Sequence, residues 1–547
     1  MSSAESFSVE GQVVDLAAGE VFAGRVRVEA GKIAAIDRLE SAPEPCLLPG
    51  FVDAHVHVES SMLVPTEFAR AAVCHGTVAT VSDPHEIGNV LGVAGVEYML
   101  ASGEQTPFKF YFGAPSCVPA TTFETAGAAI TTAEVEALLD DPRIVYLSEM
   151  MNYPGVLHGD PDCLAKIKAA LDRGKRVDGH APGLRGEEAA RYLAAGITTD
   201  HECFTKDEAL DKLAAGCKIA IREGSAARNF EALHTLIDEH PSMCMLCSDD
   251  KHPDELALGH INTLARRAVA AGIDVMKVLR AACQNPVEHY GLRVGLLRVG
   301  DPADFIEVDS LAEFNVQRTW IDGQLVSERG ATKLPAVPVE AVNNLHPREV
   351  AAEELAIEAA GPQTRVIVAE DGQLVTGEEL VPTPSADGKL VSDPERDVLK
   401  MAVVNRYSDA PVAVAMVKNF GITRGAMASS VAHDSHNVIA VGVSDEDLAA
   451  AINAVMREGG GLSAVCTADG AQETLPLPVA GLMATGDCQT VGDAYGKLDK
   501  LVKSWGSPLR APYMTLSFMA LLVIPALKLS DRGLFDGGSF KFTELFE

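Results

Sequence analysis

The stretch "LLPGFVDAHVHVESS", residues 47–61, decides the fold. An apolar run ends in Asp53, His55 and His57, and Glu59, Ser60 and Ser61 follow. Two histidines two apart point the same way only on a strand. A strand buried on both faces should be nearly all apolar. Two imidazoles side by side at its end therefore need a reason.

Working outward, apolar strands alternate with amphipathic helical stretches, the βα pattern of a parallel sheet. Eight strand candidates are readable: 51–57, 78–83, 108–114, 144–150, 176–181, 198–202, 218–223 and 243–250. Eight such units over about 250 residues match the size of a (β/α)8 barrel. Residues 8–49 and 300–330 share a different texture, short β-like pieces separated by turn residues. The expected fold class is therefore α/β. A TIM-like barrel over 50–296 is inserted in a small β-sandwich made of 1–49 and 297–333. "KLPAVPVEAVNN" reads as a linker. A C-terminal α/β domain over 340–547 follows, with an acidic-start, glycine-stop helix at "DEDLAAAINAVMREGG".

The chain has 547 residues and a formal net charge of -32, from 77 acidic and 45 basic residues. Such an excess argues against nucleic-acid and anionic-membrane partners and for a small neutral or cationic ligand. "MSSAESFSVEGQ" shows no basic or apolar leader, so no signal peptide is expected. The longest apolar run, Met514 to Leu529, is short for a membrane span and carries Pro525 and Lys528, so it reads as core. Eleven irregularly spaced cysteines read as reduced thiols. The Cys244/Cys247 pair reads as two small buried residues. These features place the chain in the cytoplasm.

Six of the eight strands carry titratable residues in their last positions. They are His55 and His57; Asp83, His85 and Glu86; Glu149; His180; Asp200, His201 and Glu202; and Asp249 and Asp250. In a barrel these ends converge on one face, where active sites are built. Any single one is more often structural. Four histidines and two carboxylates meeting by accident would carry a desolvation cost of several kcal/mol. Divalent cations remove that cost, because neutral imidazoles and carboxylates become ligands. His55 and His57 share a face and suit one ion. Glu149 suits a bridging position between two ions, and His180 and His201 complete the second site. Asp249 reaches the first ion and stands beside an attacking water. The mixed N/O set suits two divalent transition-metal ions, Mn2+, Fe2+ or Zn2+. Water activated between such ions is a strong nucleophile at neutral pH.

With these residues in place, the sequence resembles the amidohydrolase superfamily and, within it, the adenine deaminases. The marks are "LLPGFVDAHVHVESSM", "SDPHEIGNVLG", "LSEMMNYPGV" and "SDDKHP", with "ASSVAHDSHNVIAVG" and "MTLSFMALLVIPALKLSDRG" further on. They cover nearly the whole chain. Many superfamily members bridge their metals with a carboxylated lysine, whereas "IVYLSEMMNY" offers Glu149 instead. The resemblance implies hydrolysis of adenine to hypoxanthine and ammonia, with Asp249 and Glu149 as the catalytic pair. The substrate is then a small molecule, and a homo-oligomer, a dimer, is the expected assembly.

Other residues keep two readings. Asp250 faces away on a strict strand, or holds a purine nitrogen if the strand ends early. His85 and Glu86 bind substrate or support a ligand, with helix capping by Asp83 and Glu86 as competitor. Arg222 and Glu223 read as a pair with each other. Glu59 lines the pocket or caps a helix. His433 and His436, in "AHDSHN", read from spacing as a local polar turn, while the resemblance points them toward the barrel mouth. Rival functions are opening of a cyclic amide at the same site, and a non-catalytic scaffold.

Overall fold

The computed structural model describes residues 6–547. The expectation of a leaderless N-terminus falls partly outside that range. Eight parallel strands run Phe51–Val56, Thr77–Ser82, Lys109–Ala114, Ile144–Met150, Arg176–Gly179, Thr199–Asp200, Lys218–Arg222 and Cys244–Cys247. Strands one to five form one hydrogen-bonded sheet and six to eight another. Thr198 donates its N–H to the Val177 carbonyl at 2.9 Å, and Asp249 to the His55 carbonyl at 2.9 Å. These bonds close the two sheets into a barrel and leave no free edge.

Six of the strands stop one to three residues before the polar end that the apolar runs suggest. His57, His180, His201, Asp249 and Asp250 therefore sit on the turns just past the strands. Strict alternation no longer decides where they point. Asp249 shows this directly, with φ at 54°, a left-handed conformation that Asp tolerates better than most residues.

The two flanking segments share a single eight-stranded sheet. Its order is Ala331–Thr332, Gln324–Glu328, Val316–Ile321, Phe305–Val308, Cys46–Pro49, Phe7–Asp15, Glu20–Glu29 and Lys32–Arg38. Leu48 lies opposite Ile306 at the join. The sheet rolls back on itself. Ile33 donates to the Asp301 carbonyl at 2.9 Å and Gly300 to that of Ile33 at 2.8 Å. Val13, Val26, Val28, Leu47, Phe305 and Trp320 pack between its two halves. The expected sandwich is thus formed by one sheet curled on itself.

The C-terminal part is built on a second eight-stranded sheet around Val398–Val404. Helix Asp445–Arg457 covers one face. The Ser444 side chain accepts the Asp447 N–H at 3.1 Å, and three acids fill the first turn, which suits the helix dipole. Leu448, Ile452 and Val455, one stripe of that helix, are fully buried against the sheet. The run from Met514 is core, as expected: it ends helix Pro512–Phe518 and continues into strand Leu527–Ser530. The expected linker is tied down at its end. Asn344 donates to the Val90 carbonyl at 3.1 Å, and Arg406 donates to Asn343 at 2.8 Å. All eleven cysteines are free, and Cys244 and Cys247 are buried in strand eight. Among the described residues no helix is long and apolar enough to cross a membrane.

Candidate active site

At the C-terminal end of the barrel, His55, His57, Glu149, His180, His201 and Asp249 converge, each at most 6% exposed. The Nε2 atoms of His55 and His57 lie 3.2 Å apart, within hydrogen-bond reach. Asp249 Oδ1 is 3.4 Å from His57 Nε2 and 3.9 Å from His55 Nε2. Glu149 sits at the centre. Its Oε1 is 3.3 Å from His57 Nε2, while its Oε2 is 2.7 Å from His180 Nδ1 and 3.1 Å from His201 Nε2. His55, His57 and Asp249 form one group of ligand atoms with mutual spacing suited to an ion. His55, Glu149 and His201 form a second, and His180, His201 and Glu202 a third.

Burial opposes charge on every ring here. For His55 it wins, helped by His201, and the ring is held neutral. For His57 the Asp249 and Glu149 carboxylates overcome burial and raise the pKa well above its ordinary value. His201 is pushed up to about 9 against its burial, chiefly by Glu149. The cluster as a whole attracts positive charge. His55 Nδ1 and His180 Nε2 are buried with no protein partner. Buried polar atoms are rarely left so. The imidazole nitrogens and carboxylate oxygens aimed at one another, His55 Nε2 and His180 Nδ1 among them, form a mixed N/O donor set that fits divalent cations.

Residues outside the expected ligand set complete the wall. Arg222 does not pair with Glu223. Its guanidinium donates to Glu202, at 2.8 Å from Nη2 to Oε2, and to Asp249 Oδ2. Glu223 turns outward to Arg267 at 2.6 Å instead. Chain neighbours on a strand point to opposite faces, which is why the expected pair does not form. Burial would raise the Asp249 pKa, but Arg222 and the imidazoles hold it well below the usual carboxylate range. Asp250 also faces the cluster rather than away, because the strand has already ended. It accepts the Ser60 hydroxyl at 2.5 Å. Glu59 accepts the Ile87 N–H at 3.2 Å and leaves its second oxygen unpartnered.

Asp83, one residue before the N-cap Pro84, accepts the His85 N–H at 3.1 Å and faces its Nδ1 at 3.1 Å. His85 Nδ1 stands 3.5 Å from Glu149. Glu86 instead reaches the C-terminal domain. His433 Nδ1 lies 2.6 Å from Glu86 Oε1, and His436 Nε2 meets Oε2. The Ala432 N–H donates to His436 Nδ1 at 3.2 Å. Burial pushes the His436 pKa down to about 4, so that neutral ring donates from Nε2 to Glu86. The "AHDSHN" motif is thus a polar turn, and it is one that reaches the barrel mouth. It also brings Asp434, a cavity-lining residue whose Oδ2 has no partner. Leu374, Phe518 and Leu521 from the C-terminal domain line the same cavity.

Comparisons with known proteins agree with this layout. Residues 46–326 match the amidohydrolase family, and residues 373–541 match the adenine deaminase C-terminal domain. An adenine deaminase of Salinibacter ruber is 59% identical over 99% of this chain and 99% of its own. One from a Sulfurovum species is 56% identical over 97% and 98%. One from Methanosarcina mazei is 52% identical over 98% and 99%. The two domain matches fall on the two halves of one cavity, and the relatives run the full length of the chain, which therefore belongs to the adenine deaminase family of amidohydrolases.

Proposed function

We propose that this protein hydrolyses adenine at C6 to hypoxanthine and ammonia at the barrel mouth. The observation that carries the reading is Glu149, whose two oxygens face His57 on one side and His180 and His201 on the other. His55, His57 and Asp249 would hold one divalent ion, His180 and His201 the other, and Glu149 would be shared. Mn2+ is the expected metal, with Fe2+ or Zn2+ as alternatives. Such ions, when bound, lower the pKa of water toward neutrality and polarise the substrate.

The chain's own residues do the rest. Asp249 keeps one oxygen on Arg222 and turns the other to the cluster. That free oxygen accepts a proton from the attacking water and passes it to the amino group on C6. Positioning matters more than basicity for such a transfer. The C6–N bond breaks, ammonia leaves with the transferred proton, and the second water proton moves to N1 of the product. His85, Glu86, Asp250 and Asp434 surround the cavity with groups suited to a purine edge. Phe518, Leu374 and Leu521 offer an apolar wall for its face.

The test is ammonia release by Mn2+-loaded protein on a panel of purines and cyclic amides. Turnover of adenine is expected. Turnover of a cyclic amide without adenine would replace the reading, and fewer than one tightly bound metal per chain would remove it. The same reading has the protein act in the cytoplasm as a homodimer, and a sedimentation mass of one chain would correct the second point.

A further inference from the structure

Lys528 sits near the end of the apolar run "ALLVIPALKLS" and is fully buried. A buried lysine ordinarily finds a carboxylate, as Lys212 does here with Asp200 at 3.1 Å and Glu208 at 2.9 Å. Lys528 finds none among the described residues. Its Nζ donates to two main-chain carbonyls, that of Leu374 at 2.6 Å and that of Phe518 at 2.9 Å. Two acceptors and no counter-charge suit a neutral amine, which has two N–H donors. Burial alone pushes its pKa down to about 7.

The two carbonyls belong to residues 144 positions apart whose side chains line the catalytic cavity. Leu374 precedes Thr376, whose N–H and hydroxyl bond to Pro525 and Leu527, at 3.1 and 2.8 Å. Phe518 ends helix Pro512–Phe518 and packs against the His433 ring at 5.5 Å between centroids. The aminoalkyl stem of Lys528 is thus the direct tie between the two segments that present the apolar wall.

We propose that Lys528 is a positioning residue for substrate. By joining the Leu374 and Phe518 carbonyls it fixes the apolar wall that faces the metal-type cluster, and with it the placement of the purine ring. The proposal rests on the adenine reading above. It acts through the wall and not on the reacting atoms, so its signature is in KM rather than kcat.

The test compares the full-length, Mn2+-loaded wild type with Lys528→Met, Lys528→Gln and, as a control for general weakening, Ile452→Ala. Ile452 is equally buried but belongs to a separate core under helix Asp445–Arg457. For Lys528→Met, KM for adenine rises about tenfold, the scale of one buried polar interaction lost, while kcat and metal content change little. Lys528→Gln keeps an N–H pair on a shorter stem and recovers part of the KM. Ile452→Ala loses stability and keeps its KM. An unchanged KM in Lys528→Met, or an equal rise in Ile452→Ala, overturns the proposal. So does failure of both Lys528 variants to fold, which would make the residue a folding element only. A wild type that releases no ammonia from adenine would instead overturn the functional reading.

Discussion

Asp200 and His201 are neighbours in the chain and belong to two different kinds of buried cluster. Asp200 turns into the barrel wall. There Lys212 meets it at 3.1 Å, Glu208 at 2.9 Å and the Ala181 carbonyl at 2.7 Å. Asp200 also accepts the Glu202 and Ala181 N–H groups, at 2.8 and 3.0 Å. Every charge in that cluster has a partner of opposite sign. His201 turns to the barrel mouth, where rings stack on rings, its centroid 4.0 Å from that of His55. Carboxylates there share imidazoles, and buried nitrogens are left over. Both clusters are equally buried, so burial does not separate structure from function. Completeness does. A closed network explains itself, whereas an open one at the same depth asks for a cation.

The comparison breaks first at Glu149. Glu149→Gln removes the shared carboxylate, and both metal content and turnover should collapse, the latter by about a thousandfold or more. Metal analysis beside the ammonia assay decides it, and a variant that keeps two ions per chain would mean that Glu149 is not the shared ligand. Asp249→Asn should keep its metal and lose about 10²–10⁴ in kcat, the range for a proton-transfer group. Full activity would sink the proton-carrier role. Arg222→Met should cost roughly a hundredfold in kcat by freeing the Asp249 carboxylate, on the scale of a lost hydrogen bond between charged groups. Arg222 holds the Asp249 pKa down, so its removal raises that pKa and moves the acid limb of the pH profile to higher pH. An unmoved limb would show that Arg222 does not tune Asp249.

Glu208→Gln sharpens the other side. It opens the closed cluster and should cost about 3 kcal/mol of stability, the typical penalty for one partner of a buried pair. The folded variant should nonetheless keep kcat, measured beside thermal unfolding, and a fall like that of Asp249→Asn would erase the distinction. Lys528 is tested by pH rather than by turnover. Its folded pKa is about 7, below that of a free lysine. Between those values the unfolded chain binds the extra proton, so stability rises with pH. Thermal midpoints of wild type should improve relative to Lys528→Met from pH 7 to 10. A difference flat in pH would mean that the amine stays charged.

Much of the barrel and its open cluster is legible in the amino-acid sequence. The two-residue spacing of His55 and His57, the βα alternation and the polar strand ends suffice for the barrel and for the converging face. What the sequence hides begins where periodicity stops. Strand alternation turns Asp250 away, but the strand ends at Cys247 and the left-handed Asp249 re-aims both carboxylates. Adjacency in the chain pairs Arg222 with Glu223, whereas its true partners, Glu202 and Asp249, lie just past strands six and eight. The approach of Leu374, Phe518 and Asp434 to the cavity has no local signal at all, since it depends on how the last domain docks.

That docking has a consequence for how the enzyme comes into being. Glu86 and His436 are 350 residues apart, and their contact joins the front of the barrel to the last domain. Long-range contacts of this kind form late, after the loop between them has been closed. On a ribosome the barrel emerges first, with its histidine–carboxylate cluster in hand but one wall of the cavity still unmade. A chain cut short before residue 436 would carry the histidine–carboxylate cluster and lack this wall of the cavity, so the last domain completes the chamber.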